Sequence, residues 1–160
     1  MLQRIQTVYM LVVVVSGILL FFLPLATYFS ELGYFRFFLY GVEDLVRDPF
    51  GAEKSVLFPV WFGLPLSIVQ ALIVLLAVYT IFQYKKRVLQ IRLNRLNIFL
   101  HVILIGGIFF FSTIIESKVS ARPDYGIGNI LPLISIIMLF LASHFIRKDE
   151  KLIRSADRLR

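Results

Sequence analysis

Four long stretches of this sequence contain no Asp, Glu, Lys or Arg. They cover residues 5–30, 55–84, 96–115 and 125–146. A helix of about 20 apolar residues crosses the hydrocarbon core of a bilayer, which is about 30 Å thick. Each stretch is long enough for such a helix, and a chain of 160 residues leaves too little other sequence to cover four of them in water. The pattern therefore predicts an all-α membrane protein built as a four-transmembrane-helix bundle.

The composition agrees with a bilayer environment. Hydrophobic residues make up 59% of the chain and the mean hydropathy is +0.84, whereas soluble domains contain about 45–50% apolar residues. The net charge of +7 does not indicate nucleic-acid binding, because the basic residues flank the apolar stretches, as they do in membrane insertion. The sequence has no cysteine, which excludes disulfides and thiolate metal sites.

A single membrane domain of residues 1–160 is expected. Pro24 falls near the end of the first stretch, where its missing N–H is least harmful, and Pro132 falls near the first turn of the fourth. The first stretch is too long for a signal-peptide core, so it is predicted to be a retained helix. The helices are expected at about residues 5–28, 59–84, 96–116 and 128–147, the external loop at 30–56, a cytoplasmic hairpin at 85–95 and a cytoplasmic helical tail at 147–160.

Lysine and arginine are distributed unequally between the two sides of such a bundle. Twelve lie on the side that holds the termini, and five lie on the other side. Since the richer side faces the cytoplasm, both termini are predicted to be cytoplasmic. The richer side contains Arg4, Lys85, Lys86, Arg87, Arg92, Arg95, Arg147, Lys148, Lys151, Arg154, Arg158 and Arg160, and the other contains Arg36, Arg47, Lys54, Lys118 and Arg122.

The basic hairpin KKRVLQIRLNRLN and the basic tail are also candidate contact surfaces. Apolar residues interleave with the cations in the hairpin, so part of it could lie against anionic lipid, although a topology signal alone would explain its charge. A protein partner is the other expected occupant. The predicted lipid or partner contacts are Lys85, Lys86, Arg87, Arg92, Arg95, Arg147, Lys148, Lys151, Arg154 and Arg158.

The external loop is rich in aromatic residues. Residues 34–40 read as a strand that ends at Gly41, and a small β-hairpin with residues 56–58 is expected. So many aromatic side chains predict packing on the outer membrane face or on another subunit. The acidic residues of this loop lack the spacing of a calcium-binding loop, so a solvated face is expected.

Two ionisable groups stand inside the apolar stretches, His101 and His144. Histidines on neighbouring helices could ligate a haem iron axially, but both lie near the cytoplasmic interface, where interfacial or helix-bridging roles are the simpler explanation. No phosphate-binding loop, zinc signature or nucleophile elbow is present. We therefore expect no catalytic residue, no cofactor and no metal. The remaining interior polar residues suit interhelical hydrogen bonds, and they are Ser16, Ser67, Gln70, Thr80, Ser112, Thr113 and Ser135.

Three segments carry a resemblance to a known family: MLQRIQTVYMLV at the start, KKRVLQIRLNRLN in the middle, and YGIGNILPL with IRKDEKLIRSADRLR at the end. The chain resembles the family catalogued as domain of unknown function 4293, small integral membrane proteins of Bacteroidota-type bacteria. The resemblance implies a bacterial inner-membrane protein with no assigned activity and no catalytic residues to transfer.

The expected role is a non-enzymatic accessory or scaffold subunit of a larger membrane complex, bound to a membrane-protein partner or to copies of itself. The alternatives are a small oligomeric transporter or channel-like protein, and a membrane protein that binds haem through the two histidines.

Overall fold

The computed structural model describes residues 2–31, 33–45, 58–59, 61–84 and 86–158, with residues 2–4 and 152–158 described for the backbone only. Four helices and a small antiparallel sheet form the fold. In chain order the elements are α1 (Leu2–Leu19), β1 (Ala26–Ser30), β2 (Gly33–Phe38), β3 (Gly41–Asp44), α2 (Leu64–Phe82), α3 (Arg87–Val119), β4 (Pro123–Tyr125), a 3₁₀ turn (Ile127–Asn129) and α4 (Ile130–Arg158).

Three of the helical segments are long and apolar enough to cross a membrane. They are Leu64–Phe82, Arg87–Val119 and Ile127–Lys151, while Ile5–Leu19 is a shorter apolar helix. These features confirm a mostly helical membrane protein.

The first helix ends earlier than the sequence predicts. It was expected to reach about residue 28, but α1 stops at Leu19 and β1 begins at Ala26. Pro24 cannot donate a backbone hydrogen bond and disfavours helical geometry in the residue before it. After Pro24 the backbone instead forms the hydrogen bonds of a β-strand, because Ala26 to Ser30 pair with Phe37 to Gly33 in antiparallel register.

The sheet has the strand order β3-β2-β1-β4, with antiparallel pairing throughout. The expected strand at residues 34–40 is therefore present, but its partners differ from the expected ones. β1 comes from the end of the first apolar stretch, and β4 follows α3 in the chain. Phe58 belongs to no strand, and residues 56–57 lie outside the described part of the chain.

One face of the sheet packs on the C-terminal part of α3. Tyr28, Phe35 and Phe37 are each at most 1% exposed, and they share a core cluster with Ile115 and Val119 of α3. These side chains alternate along their strands, as they must when one face of a sheet is buried. The sheet therefore caps the end of the bundle opposite to the basic segments.

The predicted hairpin at residues 85–95 is mostly helical. α3 begins at Arg87 and runs for 33 residues, which is about 50 Å at 1.5 Å per residue. The connection between α2 and α3 is correspondingly short, from Gln83 to Lys86. Arg87, Arg92 and Arg95 therefore sit on a helix rather than on a loop, while Lys86 is the residue that precedes the helix.

Gly63 permits the tightest contact between α2 and the sheet. It caps the start of α2 and is buried, and a Cβ there would collide with the backbone of Tyr40 and Gly41 in the turn between β2 and β3. Backbone atoms cannot move aside as a flexible side chain can. The glycine is therefore required by space, since its φ of −85° suits any residue.

Replacing Gly63 tests this packing against a matched glycine. Gly63→Ala should lower the thermal unfolding midpoint in detergent, because overpacking of this kind costs about 1–3 kcal/mol. Gly106→Ala is the control, since nothing lies within 4 Å of its Cβ position and alanine favours the helix. Equal midpoints for the two variants would contradict the close approach at Gly63.

Candidate functional site at the basic end of the bundle

A row of polar side chains runs along the inner face of α3. Gln90, Asn94, Asn97 and His101 are separated by four, three and four residues, so they share one face of the helix. All four are at most 4% exposed. We call this row the polar seam.

The seam joins α3 to both of its neighbours. Gln90 donates to the carbonyl oxygen of Thr80 on α2 at 3.0 Å, and Asn94 donates to Oγ of Ser143 on α4 at 3.2 Å. Asn97 donates to the carbonyl oxygen of Ile73 on α2 at 3.2 Å. Each bond ties a helix pair together where little water is available to replace it.

Three buried amide oxygens lack a partner, two of them in the polar seam. Oδ1 of Asn94, Oδ1 of Asn97 and Oε1 of Gln70 are buried and have no hydrogen bond. Ile73 on α2 bonds Asn97, and Leu66 on α2 faces Gly107, so Gln70 is level with the part of α3 just beyond Asn97. Unpaired buried acceptors cost free energy, and they favour a donor such as water beside them.

The interior polar residues predicted to bridge helices do so in several cases. Oγ of Ser16 and Oγ of Ser135 lie 2.7 Å apart and join α1 to α4. Gln70 donates to the carbonyl oxygen of Gly17 at 2.9 Å, joining α2 to α1. Thr80 and Thr113 instead donate to carbonyls of their own helices.

A buried carboxylate organises the end of the bundle. Asp149 on α4 is 6% exposed, and its Oδ2 accepts a hydrogen bond of 2.8 Å from Nε2 of Gln6 on α1. Nη1 of Arg87, at the first position of α3, lies 3.9 Å from the same oxygen. This Nη1 is buried and has no hydrogen-bond partner. Three helices therefore meet at one ion cluster, formed by Gln6, Arg87 and Asp149.

The ion cluster was not predicted, although the sequence contains a signal for it. Leu139, Ala142, Ile146 and Asp149 are all buried and follow one another at spacings of three and four. The inner face of α4 thus continues into the charged tail, where it places Asp149 inward.

The predicted contact cations have different environments. Arg87 is mostly buried in the ion cluster, whereas it was expected to face lipid or a partner. Lys85 lies outside the described residues, and the side chains of Arg154 and Arg158 are not described. Among the side chains that the structure describes, the exposed cations at this end of the bundle are Lys86, Arg92, Arg95, Arg147, Lys148 and Lys151, and we call them the basic surface.

A groove lies between α1 and α2 beside the ion cluster, with a volume of about 480 Å³. Gln6, Met10 and Gln90 form its floor and are at most 6% exposed. Its other lining residues are Thr7, Val8, Leu11, Ile81, Phe82 and Tyr84.

The opposite end carries a small hydrogen-bonded group. The hydroxyls of Tyr28 and Ser112 lie 2.7 Å apart, and Ser112 donates to the hydroxyl of Tyr125 at 3.3 Å. Burial raises the pKa of Tyr28 to about 12, so its hydroxyl keeps its proton. Exposed aromatic rings surround this end, namely Phe29, Tyr40, Trp61 and Tyr125.

The two histidines lie in different environments. His101 is 1% exposed, and its Nδ1 lies 2.9 Å from the carbonyl oxygen of Asn97. His144 is exposed on α4, where its ring meets Phe145 edge to face. This arrangement gives no support to a shared haem iron. Among the described residues, no group of three His, Asp or Glu side chains could hold a metal ion.

These features define a class: a helical membrane protein with a polar interior seam and a small sheet at one end. The family model described as domain of unknown function (DUF4293) matches residues 2–159. The chain therefore belongs to this family, as its sequence resemblance predicts. Comparison with curated proteins and with solved structures gives no match.

The ion cluster makes a stability prediction. Asp149→Ala should lower the thermal unfolding midpoint in detergent, because the Gln6 amide and the Arg87 guanidinium lose their partner, at a cost of about 1–3 kcal/mol. Lys148→Ala, at the exposed neighbouring position, should have little effect. In a Gln6→Ala background the Asp149→Ala loss should shrink, and full additivity of the two losses would contradict the cluster.

Proposed function

We propose that this chain crosses a bacterial inner membrane four times, with both termini in the cytoplasm. The contacts along α1 support the fourth crossing. Gln6 bonds Asp149, Tyr9 stacks on Phe145, and Ser16 bonds Ser135, so α1 lies antiparallel to α4 between Ser135 and Asp149. The 18 residues of α1 extend about 27 Å, which is close to the thickness of the hydrocarbon core.

The outward surfaces of the bundle agree with lipid contact. Val8 and Leu11 of α1, Leu75 of α2 and Phe110 of α3 are each more than half exposed. Water-exposed clusters of this kind are rare in soluble monomers. The basic surface lies at the end of the bundle predicted to be cytoplasmic.

Within that membrane, the proposed role is a non-enzymatic accessory or scaffold subunit. The observation that supports it best is the fixed arrangement of the basic surface. Arg92 and Arg95 on α3 and Arg147 on α4 are exposed, while the inner faces of the same helices are joined by the bond between Asn94 and Ser143. Cations held on two joined helices form a surface that an acidic partner protein can recognise.

The length of α4 adds to this surface. The helix continues from Arg147 to Arg158, which carries it about 16 Å further. Lys148 and Lys151 are exposed on this part. A partner protein at the membrane surface would therefore contact a helix that extends from the bundle at a fixed position.

The polar seam supports a second candidate function, that of a small oligomeric transporter or channel-like protein. Unpaired acceptors on Gln70, Asn94 and Asn97 are the type of group that lines a polar path in a membrane protein. Solute flux in proteoliposomes that is lost in Asn97→Leu and retained in Thr113→Val would favour this function. Absence of flux in the unaltered protein would count against it.

Partner capture tests the leading proposal. The unaltered protein, purified in a mild detergent and analysed by mass spectrometry, should bring down a stoichiometric protein partner. The fourfold variant Arg92→Gln, Arg95→Gln, Arg147→Gln, Lys148→Gln should lose most of it, because the partner contacts these cations.

The control for this capture changes cations at the other end of the bundle. Lys118→Gln with Arg122→Gln alters two exposed residues there and should retain the partner. Full retention in the fourfold variant would show that the basic surface is not the docking site. Purification of the chain alone across several mild detergents would contradict the role of accessory subunit.

A further inference from the structure

We infer that the groove between α1 and α2 binds one acidic phospholipid, with an acyl chain along the groove and the phosphate at the start of α3. The inference rests on the membrane embedding proposed above and is independent of any protein partner.

The walls of the groove suit an acyl chain. Val8 and Leu11 on one side and Phe82 on the other are between 53% and 72% exposed, so the groove opens on the apolar flank of the bundle. Its volume of about 480 Å³ lies within the range of about 300–1,000 Å³ that is typical of small-ligand sites. On this flank the surrounding solvent is lipid, which makes a lipid chain the available occupant.

The floor of the groove is polar at the end nearest the starts of α1 and α3. Gln6 and Gln90 lie there, and Gln6 also donates to Asp149 in the ion cluster. Each amide nitrogen already donates one hydrogen bond, from Gln6 to Asp149 and from Gln90 to the carbonyl oxygen of Thr80, and each has a second N–H to donate. Ester and phosphate oxygens of a phospholipid supply acceptors at this level, so the floor favours a ligand with a headgroup.

Positive charge converges on the same end. Lys86 is exposed and stands in the chain between two groove residues, Tyr84 and Gln90. Nη1 of Arg87 has no hydrogen-bond partner and lies 3.9 Å from Oδ2 of Asp149 within the ion cluster. Asp149 offsets the charge of Arg87, which leaves Lys86 as the net positive charge among these three residues.

The start of α3 also favours negative charge. Its first turn contains no acidic residue, and no side chain caps it. The free N–H groups and the positive end of the helix dipole therefore favour an anion. These N–H groups complement the phosphodiester of any phospholipid. The positive charge of Lys86 adds the preference for an acidic lipid, because it repels the choline cation of a zwitterionic headgroup.

The test compares retained lipids in the full-length protein. The chain is reconstituted with equal amounts of phosphatidylglycerol and phosphatidylcholine, extracted in mild detergent, and examined by native mass spectrometry. The unaltered protein should retain one phosphatidylglycerol in preference to phosphatidylcholine. Lys86→Gln should reduce this preference about fivefold, which is the usual effect of one cation near a membrane surface. Lys118→Gln, which alters an exposed lysine at the other end of the bundle, should leave it unchanged.

A second variant pair tests the groove itself. Leu11→Trp fills the space between α1 and α2 and should abolish the single retained lipid. Leu72→Trp places the same ring on an exposed position of α2 that does not line the groove, and it should retain the lipid. Both positions face outward, so neither change should prevent folding.

The outcomes separate this inference from the proposed function. Equal retention of the two lipids, equal losses in Lys86→Gln and Lys118→Gln, or full retention in Leu11→Trp would each overturn the groove as an acidic-phospholipid site. Release of the chain from membranes by an alkaline wash would instead overturn the membrane embedding, and the lipid site with it.

Discussion

Polar groups surrounded by hydrocarbon must find their hydrogen-bond partners inside the protein, and the architecture of this chain follows from that constraint. The backbone satisfies it with helices, three of which are long and apolar enough to cross a membrane. Side chains satisfy it by turning inward, as in the bonds from Gln70 to Gly17 and from Asn97 to Ile73. Non-helical backbone is concentrated at one end, where the strands pair with each other in a four-stranded sheet.

The same constraint makes the two ends of the bundle different. At one end the sheet packs buried aromatic rings on the C-terminal part of α3. At the other end α1, α3 and α4 converge on Asp149, and exposed cations surround this cluster. Burying a carboxylate costs free energy unless the group is paired. The contacts from Gln6 and Arg87 therefore allow Asp149 to be buried. The basic surface and the groove are therefore both held in place by buried polar contacts.

The apolar helices could be predicted from the sequence, because the length of a charge-free stretch is a local signal. The end of α1 could not, since the strand that follows Pro24 depends on pairing with β2 and β4. The interhelical bonds of Ser16, Gln70 and Ser135 were also predictable, since a polar side chain inside an apolar stretch needs a partner. The sheet was only partly predictable. β1 and β4 lie about 100 residues apart in the chain, and the pairing of Thr27 with Asp124 depends on how α3 is placed. Gln90, Asn94 and Asp149 were missed because they lie in segments dominated by positive charge, although their helical spacing was visible.

Cysteine accessibility would test the proposed four crossings most directly, because the chain contains no native cysteine. Single variants Lys118→Cys and Asp124→Cys would report one end of the bundle, and Arg92→Cys and Lys148→Cys the other. In cells whose inner membrane is intact, a membrane-impermeant maleimide should label the first pair at once and the second pair only after that membrane is opened. Labelling of Lys148→Cys before permeabilisation, or of all four variants to the same extent, would contradict the account.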